Sequence, residues 1–163
     1  HPDDYDLFNA KIIPSVQPTH ATSDMYWLYD RVGKKRGEHS YAWQDLLEKS
    51  GTIAFGTDFP VEKINPIMTF YSATYRKDAE GFPEEGFQLE NALGRGDALM
   101  AMTYYGAYAN FEEKEKGSIE PGKFADFVIL DTDLIKASEN RIKQAKVVAT
   151  FIDGNLVFSR RFN

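Results

Sequence analysis

Cysteine is absent from this chain of 163 residues, and histidine occurs only three times, as His1, His20 and His39. The lack of cysteine excludes a disulfide framework, a thiolate zinc site and a cysteine nucleophile. Any metal bound by this chain would therefore have to be held by histidine and carboxylate side chains.

Positive charge and long apolar runs are also scarce. The 19 basic residues against 25 acidic residues give a net charge of −6, which provides no electrostatic footprint for a nucleic acid. No uninterrupted apolar run approaches the roughly 20 residues that a membrane span requires, and no signal peptide opens the chain. We therefore expect no nucleic-acid or membrane partner and a cytoplasmic location. The hydrophobic share of 42% is that of a globular protein.

Short apolar runs alternate with amphipathic helical patterns in the first part of the chain. Residues 12–17 and 52–56 are apolar runs bounded by proline or glycine, which predicts two short buried strands. Residues 41–49 and 65–75 carry helical patterns. This alternation is typical of βα units with a parallel sheet, in which the loops that follow the strands lie on one common face.

Strand patterns dominate after residue 110. Residues 88–110 carry the longest helical pattern, although three glycines predict a break or two shorter helices. Residues 127–130 and 147–152 then read as strands, and the second turns at residues 153–155 into a further strand. The chain thus changes from βα units to a β-rich tail.

Candidate chemical groups follow both strands of the first part. His20 lies in a polar stretch after the first strand, and Asp58 comes directly after the second. A carboxylate there can ligate a divalent cation or hold a proton, but on spacing alone a turn or capping role for Asp58 is favoured. His20 alone reads as a structural histidine, and Arg76 as an exposed loop arginine that could bind an anion.

Four motifs, in chain order, resemble the amidohydrolase superfamily of metal-dependent hydrolases. They are PSVQPTHATSD at residues 14–24, YAW at 41–43, AFGTDFPV at 54–61 and GSIEPGKFADFVIL at 117–130. The branch that the sequence most resembles includes N-substituted formamide deformylases. The last motif is highly specific to the superfamily, and GTDFP is moderately specific.

The resemblance implies a fold, a reaction and a set of site residues. The fold is α/β, with the C-terminal part of a TIM barrel in residues 1–110 and strands of a small β-sandwich in residues 111–163. The reaction is hydrolysis of an amide or related non-peptide C–N bond in a small molecule, with a divalent metal, zinc, in the full-length enzyme. Asp58 matches a metal ligand that also shuttles the proton of the attacking water. His20 and Arg76 are assigned to substrate binding.

The resemblance also implies that most metal ligands lie outside this chain. The family's first-strand His-x-His pair, its bridging residue and two further histidines have no counterpart here, and His1 is not assigned as a ligand. One aspartate and one histidine cannot complete a zinc site of three or four ligands. A TIM barrel takes about 250 residues, so we expect a C-terminal portion of a longer enzyme. Alone, it should bind no metal, be inactive, and be unstable or form homo-oligomers.

A non-catalytic binding or interaction domain derived from the same fold is the alternative. Such a domain would need a cover for the edges of its two-stranded parallel sheet, and nothing in the sequence supplies one. The apolar strands and the retained Asp58 favour the enzyme.

Overall fold

Two small sheets carry the β-structure of the computed structural model, which describes residues 2–8 and 12–160. Strands β1 (Ser15–Val16) and β2 (Ala54–Phe55) pair in parallel, with Ser15 opposite Ala54. The parallel pairing confirms the predicted relation of the two apolar runs. His1 lies outside the described residues.

The second sheet is antiparallel, as the pattern of the tail predicts. It contains β3 (Phe127–Leu130), β4 (Val147–Ile152) and β5 (Asn155–Ser159), in that order. The turn between β4 and β5 places Asp153 and Gly154 at positive φ, which a tight hairpin requires. Because neighbouring side chains of a strand point to opposite faces, the half-exposed apolar residues of the edge strand β5 leave both faces of this sheet open along β5.

Eight α-helices and two 3-10 helices surround the sheets in the described part of the chain. The 3-10 helices are Pro2–Leu7 and Leu89–Asn91, and the α-helices are α1 (Pro18–Asp24), α2 (Leu28–Val32), α3 (Lys34–Gly37), α4 (Trp43–Ser50), α5 (Pro66–Tyr75), α6 (Arg95–Met102), α7 (Tyr104–Ala109) and α8 (Glu139–Lys143). Helices α4 and α5 agree with their patterns, and the glycine-interrupted pattern at 88–110 is indeed divided. No helix here has the length and apolar character of a membrane span.

Helix α1 corrects the expectation of a polar stretch after the first strand. Pro18 occupies the start of the helix, where the missing N–H costs nothing. The buried face contains small and hydroxyl side chains, and the Thr22 hydroxyl donates to the Thr19 carbonyl at 3.0 Å. A threonine that satisfies its hydroxyl locally, as Thr22 does, can pack against a neighbouring helix, so this polar segment forms a helix with a buried face.

Helix α5 lies at the centre of the core. Asn65 caps it by accepting from the Ile67 N–H at 3.1 Å, and Phe70 and Ala73 are completely buried. Helix α5 contacts α1, α6 and α8. Ile142, on α8, belongs to the same core, so a helix of the β-rich tail packs on the βα part.

Candidate active site

The loops that follow β1 and β2 meet at one edge of the parallel pair. Helix α1 begins directly after β1 and carries His20 in its first turn, while Asp58 lies three positions beyond β2. His20 Nε2 and Asp58 Oδ2 are 3.0 Å apart. This contact confirms the prediction that the two loops share a face, and it brings together two of the three predicted site residues.

Asp58 is held in an unusual backbone conformation. Its φ is +56°, in the left-handed region that non-glycine residues rarely adopt and that often marks functional positions. Its carbonyl accepts from the N–H groups of Val61 and Glu62, at 2.8 and 3.2 Å, which closes a turn. The Asp58 side chain is 50% exposed. The turn therefore presents a carboxylate that contacts His20 and still faces outward.

Glu62 joins this pair and was not predicted. Its Oε1 lies 3.6 Å from His20 Nδ1 and accepts from the Ser23 hydroxyl at 2.5 Å. The side chains of His20 and Glu62 are 22% and 18% exposed. We call His20, Asp58 and Glu62 the histidine cluster. In the sequence, the only indication of a role for Glu62 is its position in the loop after β2. Sequence spacing does not say which residue of that loop contacts the histidine.

A cavity of about 310 Å³ adjoins the histidine cluster. Glu62 of the cluster lines this cavity, as does Ser23, which donates to Glu62, and helix α5 and residues 78–80 supply further parts of the wall. Burial opposes ionisation of Asp78, but hydrogen bonds from the Tyr26 hydroxyl and from the backbone N–H groups of residues 80–82 lower its pKa overall. The Asp78 carboxylate in the cavity wall is therefore negatively charged at neutral pH.

Arg76 lies in the interior, which corrects the expectation of an exposed loop arginine. It is 0% exposed, and its guanidinium donates to the carbonyls of Phe87 and Tyr41, at 2.8 and 3.2 Å, and to the Gln88 side chain at 3.4 Å. Burial lowers the pKa of Arg76 to about 10, so it stays cationic at neutral pH. The three hydrogen-bond acceptors of its guanidinium all belong to this chain, which favours a structural role for Arg76. Substrate contact by Arg76 stays a prediction.

The described residues do not complete a metal site. Within 2–8 and 12–160, no three histidine, cysteine or acidic side chains are grouped as metal ligands would be. The half-exposed carboxylate of Asp58 suits one oxygen ligand of a divalent cation, but His20 Nε2 is occupied by Asp58 itself. A bound metal would need further ligands from outside these residues.

Comparison with protein families supplies context for this geometry. The sequence model described as the amidohydrolase family matches residues 6–158. The N-substituted formamide deformylase of Arthrobacter pascens is 27% identical over 72% of this chain and 21% of its own length. The Arabidopsis thaliana protein LONG AFTER FAR-RED 3 is 34% identical over 90% of this chain and 25% of its own length.

A solved structure agrees with the family match. The crystal structure of a metal-dependent hydrolase from Pyrococcus horikoshii OT3 superposes with a TM-score of 0.67 at 33% identity, and the match covers 80% of this chain and 26% of that protein. The chain thus spans about a quarter of the length of the relatives that it matches.

Proposed function

The chain belongs to the amidohydrolase family, and from that premise we propose that it is the C-terminal portion of a metal-dependent hydrolase that cleaves amide or related non-peptide C–N bonds in small molecules. The contact between His20 and Asp58 carries the proposal. It joins a histidine and a half-exposed carboxylate at the edge where two parallel strands end, and α/β proteins keep their chemistry at that edge. Metal-dependent hydrolase and deformylase relatives support the reaction class.

We propose that residues 1–110 are the last βα units of a TIM barrel and that residues 111–163 contribute strands to a small β-sandwich. The parallel pair of β1 and β2 supports the first part, since a sheet of two short parallel strands is normally buried within a larger one. The open faces of the antiparallel sheet support the second. The short coverage of the relatives is consistent with a longer enzyme that binds a divalent metal, zinc being the proposed ion.

Asp58 is proposed as one metal ligand and as the proton carrier of the reaction. A bound divalent metal would make water more acidic and polarise the scissile carbonyl. Asp58 would take one proton from the attacking water as the new C–O bond forms, and would deliver it to the nitrogen as the C–N bond breaks. His20, held beside Asp58, would share the Nε2–H that faces Asp58 with the oxygen on which negative charge develops.

The decisive experiment compares Asp58→Asn with wild type in the full-length protein. Metal content and hydrolysis of N-substituted formamides are measured, with Asp30→Asn on the exposed surface of α2 as the matched control. We expect the Asp58 variant to lose about 10²–10⁴-fold in kcat, because a general acid–base group contributes about that much. The control should keep full turnover.

The outcomes separate the parts of the proposal. Full turnover by Asp58→Asn would show that another residue carries the proton. If the full-length protein bound no metal and hydrolysed no C–N bond, the alternative of a non-catalytic binding or interaction domain would be supported instead. The family comparisons do not favour that alternative. The 163-residue chain, expressed alone, should be inactive and unstable or oligomeric, and a cooperative monomeric melt without metal would count against its proposed place in a larger barrel.

A further inference from the structure

Glu62 lies on the opposite side of the His20 imidazole from Asp58. We infer that Glu62 is a positioning residue, which fixes the orientation of the His20 ring so that Nε2 stays directed at Asp58. The inference rests on the proposed function, in which His20 and Asp58 act together.

The two carboxylates contact the two ring nitrogens of one histidine. Asp58 Oδ2 is 3.0 Å from Nε2, within hydrogen-bonding distance, and Glu62 Oε1 is 3.6 Å from Nδ1, just beyond normal hydrogen-bond length. A 180° turn of the ring would bring the Cδ2 edge to Glu62 in place of Nδ1. The negative charge of Glu62 therefore favours one ring orientation over the other.

Glu62 is itself held in place by three features. Its backbone N–H donates to the Asp58 carbonyl at 3.2 Å, so the turn that presents Asp58 also sets the position of Glu62. Its Oε1 accepts from the Ser23 hydroxyl at 2.5 Å, and its side chain is only 18% exposed. The Ser23 hydroxyl also lies 3.4 Å from the His20 carbonyl, and the shorter distance identifies Glu62 as its main acceptor.

These contacts distinguish Glu62 from an ordinary surface ion pair. Exposed pairs hold long, mobile side chains and contribute little, whereas Glu62 and His20 are both largely buried and are linked through the backbone of α1 and the turn after β2. The group that acts on the reaction remains His20 with Asp58. Glu62 acts through the ring.

The test uses Glu62→Ala and Glu62→Gln in the full-length protein. Glu84→Gln is the matched control, because Glu84 is exposed, does not line the cavity and has no described contact with His20. The readouts are kcat and KM for an N-substituted formamide, metal content, and the ¹⁵N signals of the His20 ring. These signals are assigned by their loss in His20→Gln.

We expect Glu62→Ala to lower kcat by about 10–100-fold, the range seen when a supporting carboxylate behind a functional histidine is removed. KM should change by less than about threefold, because substrate binding is left in place. Metal content should stay constant while the His20 ring signals shift. Glu62→Gln should have a smaller effect, since its amide oxygen can still face Nδ1, and Glu84→Gln should change nothing.

Two results would overturn the inference. Unchanged ring signals in Glu62→Ala would show that Glu62 does not orient His20. This measurement tests the inference even where the enzyme turns over no substrate. Loss of metal in the same variant would make Glu62 a ligand and not a positioning residue. Failure of the proposed function is separate, because it would appear as full turnover in Asp58→Asn or as absence of metal and hydrolysis in wild type.

Discussion

Two polar clusters of this molecule use similar interactions in opposite surroundings. In the histidine cluster, charged side chains contact one another at an open edge, and Asp58 is 50% exposed. Around Arg76, a single completely buried cation donates to acceptors of the chain's own backbone and to Gln88. Buried acceptors that lose a donor cost more than surface contacts do. Changes at the first cluster should therefore affect activity, and changes at the second should affect stability.

The buried cluster is expected to give the largest change in stability. Arg76→Met fills most of the space but leaves the Phe87 carbonyl without its donor, at a cost of roughly 1–3 kcal/mol for a buried group. The Tyr41 carbonyl loses one of two donors and still accepts from the Trp43 N–H at 2.9 Å. We expect the free energy of unfolding to fall by about 2–3 kcal/mol, measured by urea unfolding with tryptophan fluorescence. Arg76→Lys keeps the charge but loses the planar donor set, and should be destabilised less.

One result would contradict the assignment of activity to the histidine cluster and stability to the cluster around Arg76. If Arg76→Met unfolded at nearly the wild-type urea concentration while KM for the substrate rose, Arg76 would belong to the substrate site, as the sequence predicts.

The predictability of these two clusters from sequence differs for a physical reason. The strand ends that carry His20 and Asp58 follow from apolar runs bounded by proline and glycine, and parallel pairing then brings them to one edge. The position of Arg76 has no such local signal, because it sits at positive φ at the end of α5, before a charged, glycine-containing loop. Its burial depends on Tyr41 and Phe87, which are remote in sequence.

Helices and strands likewise differ in how far the sequence predicts them. Helices α4 and α5 and the hairpin of β4 and β5 are predictable because apolar spacing, an asparagine cap and a turn dipeptide act locally. Helix α1 is not, because threonines and alanine form its buried face. The contact of Glu62 with His20 is set by a turn conformation at Asp58 that composition does not specify.

A partly buried network between α5 and α8 provides an intermediate case. Glu139 accepts from the Tyr71 hydroxyl at 2.8 Å and from Lys77 Nζ at 3.0 Å. Burial opposes ionisation of Glu139, but these hydrogen bonds and the charge of Lys77 lower its pKa overall below 4.5. A carboxylate with a lowered pKa stabilises the fold above the pKa of the unfolded state, and that contribution is lost as pH falls through the folded pKa.

We therefore expect Glu139→Gln to lower the free energy of unfolding by about 1 kcal/mol at neutral pH, a modest value because the carboxylate is 35% exposed. The difference between variant and wild type should shrink as pH falls below 4.5, measured by urea unfolding along a pH series. Tyr71→Phe serves as the matched control for the loss of one hydrogen bond. A difference that is constant over the whole pH range would exclude ionisation of Glu139 as its source.

The smallest change in stability is expected at His20. This residue gives the clearest contrast with Arg76, because its replacement should affect activity much more than stability. The His20 side chain is 22% exposed and lies between two carboxylates, so its replacement leaves those acceptors near water. His20→Gln keeps a polar group of similar length whose amide N–H can still donate to Asp58, and we expect the free energy of unfolding to change by only about 0.5 kcal/mol, the low end for one hydrogen bond. Turnover of the full-length enzyme should nevertheless fall, because no imidazole remains beside Asp58. A loss of stability as large as that of Arg76→Met, with turnover retained in the folded fraction, would instead place His20 among the structural histidines and leave Asp58 without its proposed partner.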